Sequence, residues 1–145
     1  MAALITSCSH SDTLFHSFQQ LPRNGWEKGD TIKFDIDSIL CDAPTPAEID
    51  IEIRCNRQYP YQKLWLIVEN NFTTKDQATD TIHFNISNSR GKILGNGMNL
   101  YQYTARLKEA TIDKSTPYHL HIIHFLRQMH LEGIESIGVK IRRKE

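Results

Sequence analysis

No stretch of this sequence is long and apolar enough to cross a bilayer. The greasiest runs, Lys63–Val68 and Leu120–Leu126, fall far short of the roughly 20 residues a spanning helix needs. There is no surplus of charge either. Seventeen basic residues balance seventeen acidic ones, so the chain has no global attraction to nucleic acid. The basic run Lys140, Arg142, Arg143, Lys144 is short and reads as a solvated strand end. Cysteine is scarce: Cys8, Cys41 and Cys55 form no C-x-x-C pair, which argues against a thiolate zinc site. A nucleophile elbow and a paired-carboxylate arrangement are missing. Arg90-Gly91-Lys92 and Gly95-Asn96-Gly97 stand in hairpin-like contexts without a following helix, so they are poor phosphate cradles. The expectation is a protein that is not an enzyme, has no catalytic residues and no cofactor, and takes no nucleic-acid partner.

What is present is alternation. Ile32, Phe34 and Ile36 alternate with charged neighbours; so do Ile49, Ile51 and Ile53; so do Ile82, Phe84 and Ile86. Ile137, Val139 and Ile141 repeat the pattern near the C-terminus. Period two with β-branched and aromatic residues marks half-buried strands. Lys63–Val68 and Leu120–Leu126 read as central strands buried on both faces. Tyr101–Ile112 has mixed spacing that fits a helix face or a strand. Turns fall between the runs at Asn24-Gly25, Lys28-Gly29-Asp30, Asp42–Pro46 and Gly95–Gly97. Hydrophobic residues make up 39% of the 145 and charged residues 23%, a globular composition of single-domain length. Short strands without alternating helices predict an all-β fold, an antiparallel β-sandwich of jelly-roll-like form. The expected organisation is a signal remnant at 1–7, a tether or arm at 8–24, and one sandwich domain at 25–145.

Three groups of side chains invite a chemical reading. Trp26, Tyr59 and Tyr61 could form a stacking surface for a sugar or a partner, whereas Trp65 sits in the greasiest strand and reads as core. His119 and His121 lie two apart on a strand and so share a face. They are weak metal candidates, with His83 as a conceivable third ligand; a polar sheet face is the simpler account. Cys41 and Cys55 either pair or remain two small buried hydrophobes, the second being favoured.

The N-terminus holds the remaining signal. Ile5-Thr6-Ser7-Cys8 fits a bacterial lipoprotein box: an aliphatic residue, a polar one, a small one, then cysteine. A signal peptidase needs small residues at the cut. The Cys8 thiol accepts a diacylglyceryl group, and the new N-terminal amine can carry a further acyl chain such as palmitate. Several chains give stable anchoring where one is marginal. A full export signal carries a basic segment and an apolar segment of 7–15 residues. The seven uncharged residues before Cys8 therefore read as the tail of a longer signal, with Cys8 the first residue of the mature chain.

Several segments then read together. They are Gly25-Trp26 through Asp30; Tyr59-Pro60-Tyr61-Gln-Lys-Leu64-Trp65-Leu66; Arg90-Gly91 through Gly97; Pro117-Tyr118; and Leu131-Glu-Gly133-Ile134-Glu-Ser-Ile137-Gly138. In this order and spacing the chain resembles the gliding-motility lipoprotein GldH family of Bacteroidetes over essentially its whole length. The resemblance implies a membrane-anchored lipoprotein of the bacterial cell envelope, without catalysis, whose partners are other envelope and gliding-machinery proteins. Ser9, His10, Ser11 and Asp12 lack the acidic cluster that sends such lipoproteins to the cell surface, which implies a periplasm-facing anchor. The alternative expectation is a glycan-binding envelope lipoprotein.

Overall fold

A computed structural model describes residues 12–73 and 77–145. They form ten strands: β1 (Thr13–Gln20), β2 (Trp26–Glu27), β3 (Ile32–Ile36), β4 (Thr45–Cys55), β5 (Lys63–Asn70), β6 (Ala78–Asn85), β7 (Tyr101–Ile112), β8 (Tyr118–His124), β9 (His130–Leu131) and β10 (Ile134–Arg143). One antiparallel sheet has the order β1-β10-β4-β7 and the other β3-β8-β5-β6. The chain changes sheet at every connection between these eight strands except the β5–β6 hairpin, and the last of them, β10, returns beside β1. This is a jelly roll. The small ribbon β2–β9 closes one end.

The alternating residues face each other across the sandwich. Ile49, Ile51, Ile53, Ile137, Val139 and Ile141 come from the first sheet; Phe34, Leu64, Leu66, Val68, Leu120 and Ile122 come from the second; all are buried. Burying a side chain of this size contributes about 1.5–3 kcal/mol each, before chain entropy is charged against it.

Two expectations are corrected. Residues 13–20 are not part of an arm: they form β1, an edge strand paired with β10 from Thr13↔Arg142 to Gln20↔Ser136. Their weak pattern follows from a bulge at Leu14, which breaks the alternation. Next, β5 and β8 are indeed central but are not buried on both faces. Their outward residues, Trp65, Ile67 and Ile123 among them, are partly exposed. The strand buried on both faces is β4. Its inner isoleucines are covered by the other sheet, and its outer Asp50 and Glu52 are only 4% and 3% exposed.

The ambiguous 101–112 segment is a strand along its full length, paired with β4. A register shift places one extra residue, Leu107, between Arg106 and Lys108. Tyr101 and Tyr103 point inward before the bulge; Lys108, Ala110 and Ile112 do so after it. Two alternations offset by one residue are what gave the spacing its mixed look. The offset also aims Lys108 across to β6, where its Nζ lies 2.7 Å from the Asp80 carboxylate and ties the two sheets together at one edge. Burial pushes the Asp80 carboxyl up. Hydrogen bonds from Lys108 and Asn70, with the Lys108 charge, outweigh that and hold it below its ordinary value.

Candidate functional site

The point where the chain enters the fold fixes which end of the sandwich lies near Cys8. The Asp12 carbonyl accepts a hydrogen bond from the Arg143 amide (2.6 Å), and the Leu14 carbonyl accepts one from Leu40 (3.1 Å). This end also holds the β3–β4 loop with exposed Leu40 and the β7–β8 turn. In that turn the Asp113 carboxylate accepts hydrogen bonds from Ser115 and Thr116, which keep its carboxyl below the ordinary value. Cys8 lies outside the described residues. It is four positions before Asp12, so a fully extended chain carries it at most about 14 Å from this end.

The far end is where the two segments that define the sequence resemblance meet. Gly133 has φ of +90°, and a Cβ there would run into the Tyr59 backbone. The Asn56 amide donates to the Gly133 carbonyl at 2.8 Å, so the Y-P-Y and L-x-G-I segments are packed as one unit. Tyr59 is buried and donates its hydroxyl to the Lys63 carbonyl at 2.7 Å; burial pushes its phenol well above the ordinary value. Trp26 is 1% exposed. Its indole N–H donates to the Asp30 carbonyl (2.9 Å), and its ring meets His124 edge-on at 5.2 Å. Tyr61 meets Tyr59 edge-on at 5.7 Å. Of the three rings expected to form a platform, Trp26 and Tyr59 are thus packing residues and only Tyr61 keeps a part in solvent. A sugar-stacking surface would have only Tyr61 to use, because the rings of Trp26 and Tyr59 fill the end of the core.

Trp65 is the aromatic that faces outward, at 36% exposure, with its ring 4.7 Å from His83. The run reads as core because its neighbours Leu64 and Leu66 are core; the position of Trp65 in the alternation points to solvent. Beside it, the Phe125 amide donates to the Trp65 carbonyl at 2.9 Å, and Phe125 is 63% exposed. Ile67 and Ile123 are opposite one another in the next row. A partly exposed apolar row therefore crosses the outer face of the second sheet. The individual spacing of each strand carries this signal; the hydrophobic run taken as a whole hides it.

His119 and His121 share this outer face, ring centroids 5.3 Å apart, and His124 points inward. His121 lies 3.9 Å from the Glu69 carboxylate, and His119 is opposite Asp35. His83 is on β6, separated from the pair by β5. Among the described residues no group of three or more His, Cys, Asp or Glu is placed to hold a metal ion. Cys41 and Cys55 are both free and buried. Cys41 lies against Ile112 at the Cys8 end, and Cys55 pairs in register with Tyr101 at the other. The strand length between them separates the thiols by about 30 Å, so no disulfide can join them. Burial, with Glu135 nearby, pushes the Cys55 thiol up to about 12.

The outer face of the first sheet is an ion-pair network. Asp50 accepts from Arg106 Nε at 2.5 Å and lies 3.5 Å from Arg142; Glu48 lies 3.0 Å and 3.2 Å from the same two arginines. Glu52 is covered by His16 at 3.3 Å and by Gln102, whose amide donates to it at 2.7 Å. Each acid has its partners within the sheet, so this face reads as self-satisfied.

Fold and chain entry together define a class: a jelly-roll domain approached at one end by a segment that carries a lipoprotein-type cysteine. The profile of the GldH lipoprotein family matches residues 13–141, and the chain belongs to that family. It is 24% identical to the gliding motility lipoprotein GldH of Flavobacterium johnsoniae, over 99% of this chain and 92% of that one. It is 28% identical to a gliding motility lipoprotein GldH homolog of Christiangramia forsetii, over 83% and 78% of the two chains. Among solved structures, the infectious bursal disease virus VP2 subviral particle aligns with 91% of this chain and 31% of its own. That alignment has 18% identity and a TM-score of 0.30, too distant to bear on function.

Proposed function

We propose that this protein is a lipid-anchored, non-enzymatic envelope component that acts in assembly or scaffolding of a gliding-type apparatus. The observation that carries the reading is the position of Cys8. It stands in a lipoprotein box four residues before the chain enters one end of a rigid sandwich. Acyl chains on Cys8 would hold that end at the membrane and leave both sheet faces and the far end free for other proteins. Family membership supports this, since relatives of known name are gliding motility lipoproteins. Ser9, His10, Ser11 and Asp12 lack an acidic surface-export cluster, which favours a periplasm-facing anchor. The glycan-binding alternative loses its support with the burial of Trp26 and Tyr59.

The test is crosslinked affinity purification from the native envelope, wild type against Cys8→Ala. The proposal expects wild type in the membrane fraction with a defined set of envelope proteins. It expects Cys8→Ala to be soluble and to recover them poorly. Equal fractionation and equal recovery would overturn it.

A further inference from the structure

A jelly roll has four open edges, and here three are guarded. β1 carries the Leu14 bulge, and Gln19 donates its side-chain amide to the Lys33 carbonyl, which stitches β1 to β3. β3 is only five residues long and has Lys33. β7 carries the Leu107 bulge and has Gln102 already bonded in both directions to Asn96 (2.9 and 3.2 Å). Short strands, bulges, lysines and stitches are the usual devices against edge-to-edge pairing. β6 has none of them in its second half. It is regular, eight residues long, and contains no proline, glycine or lysine.

The phase of the β5–β6 ladder shows which groups are open. Ile86 donates its amide to the Gln62 carbonyl at 2.7 Å, so Phe84 and Ile82 also bond to β5 by the antiparallel alternation. Thr81, His83 and Asn85 then direct their N–H and C=O groups away from β5. Among the described residues no strand pairs with that side. Those of His83 and Asn85 border a cleft of about 790 Å³. Its walls are His83, Asn85 and Leu94 on one side and Gln102 and Thr104 on the other, with Tyr103 among them. No Asp, Glu, Lys or Arg lines it.

We propose that the free edge of β6 beside this cleft receives an extended, uncharged segment of a partner polypeptide by strand addition. Main-chain hydrogen bonds to Thr81, His83 and Asn85 would give the affinity, and alternate side chains the specificity. The outer face supplies the second half of the argument. The rows Phe125–Trp65–His83 and Ile123–Ile67–Thr81 run across the sheet and stop at this edge. An added strand extends both rows, so its outward side chains are apolar or aromatic and continue the cross-strand pairing. Its inward side chains enter this uncharged cleft, where Asn96 stands. A segment with net charge would be desolvated there without a counter-charge. The inference rests on the assembly reading above and names the surface through which assembly occurs.

The test places a photo-crosslinking residue at Thr81 or His83 of the full-length protein in its native envelope, with Lys33 on the guarded β3 edge as control. The expected result is crosslinks from 81 and 83 to one short contiguous segment of one partner. A synthetic peptide of that segment should then slow amide exchange at 81, 83 and 85 by about tenfold or more in the purified chain, and leave Lys33 unchanged. Thr81→Pro removes an open N–H without touching the β5 ladder and should weaken peptide binding by at least about tenfold. Thr81→Asp, which keeps every ladder bond, should do the same if the proline variant unfolds. Crosslinks to a second copy, to another part of the same chain or to glycan would overturn the proposal. So would partners that co-purify while 81 and 83 stay uncrosslinked. Recovery of no envelope protein at all removes the assembly reading itself and this inference with it.

Discussion

Truncating Asp50 tests whether the first sheet's outer face is held by its ion pairs. The carboxylate is 6% exposed and is approached by Arg106 at 2.5 Å and Arg142 at 3.5 Å. Breaking a fully buried pair costs about 3–5 kcal/mol, because an uncompensated charge is left inside. Here the two arginine side chains are 40% and 41% exposed, so a stranded guanidinium can recover water and the cost must be discounted. Asp50→Ala should therefore lower stability by about 1.5–3 kcal/mol. Asp50→Leu with Arg106→Leu replaces the pair by apolar packing on a covered strand and should stay within about 1 kcal/mol of wild type. Urea denaturation gives both numbers, read as midpoint shifts at unchanged slope. The coupling energy from the double-mutant cycle is the decisive quantity. If Asp50→Ala shifts stability by less than about 0.5 kcal/mol, or if the double variant loses the sum of the singles, the account of this face is wrong.

The two tryptophans should behave oppositely. Trp26→Ala should cost about 3–5 kcal/mol in the same denaturation assay and Trp65→Ala under about 1 kcal/mol; a reversed order would refute their placement. His124 is a pH prediction. Burial holds its imidazole below the ordinary value of 6.5, so the unfolded chain binds that proton at higher pH than the folded one. Stability should thus be flat above about pH 7.5 and fall as pH drops below 6.5 towards the depressed folded value. His124→Phe should lose that part of the slope; an unchanged slope from pH 7 to 5 would contradict the burial argument. The thiols of Cys41 and Cys55 should react with Ellman's reagent only on unfolding, and non-reducing electrophoresis should show no intrachain disulfide. Rapid labelling of Cys55 in the native protein would be inconsistent with its thiol being pushed up to about 12.

Most strands were legible because a sandwich core writes itself as alternation. Ile49, Ile51 and Ile53 announce β4 as plainly as Ile137, Val139 and Ile141 announce β10. What stayed hidden depends on what covers the other face. Asp50 and Glu52 look like solvent-facing acids until Arg106, Arg142, His16 and Gln102 are brought over them by strands distant in sequence. In β1 the bulge and a lone Phe18 on the outer side, capped by the Arg54 guanidinium at 4.0 Å, blur the pattern. Trp65 reads as core from the composition of its run, and only its place in the alternation shows that it faces outward. The β6 edge could not be read at all, since a free edge is a property of sheet order rather than of local sequence.

The central claim is that the sandwich is tethered by acyl chains at Cys8. Mass spectrometry of the N-terminal peptide of the protein isolated from its native envelope addresses it directly. The account predicts a mature chain beginning at Cys8 and carrying a diacylglyceryl group, with or without an acylated amine. A mature chain that retains residues 1–7 with an unmodified Cys8 thiol would contradict it.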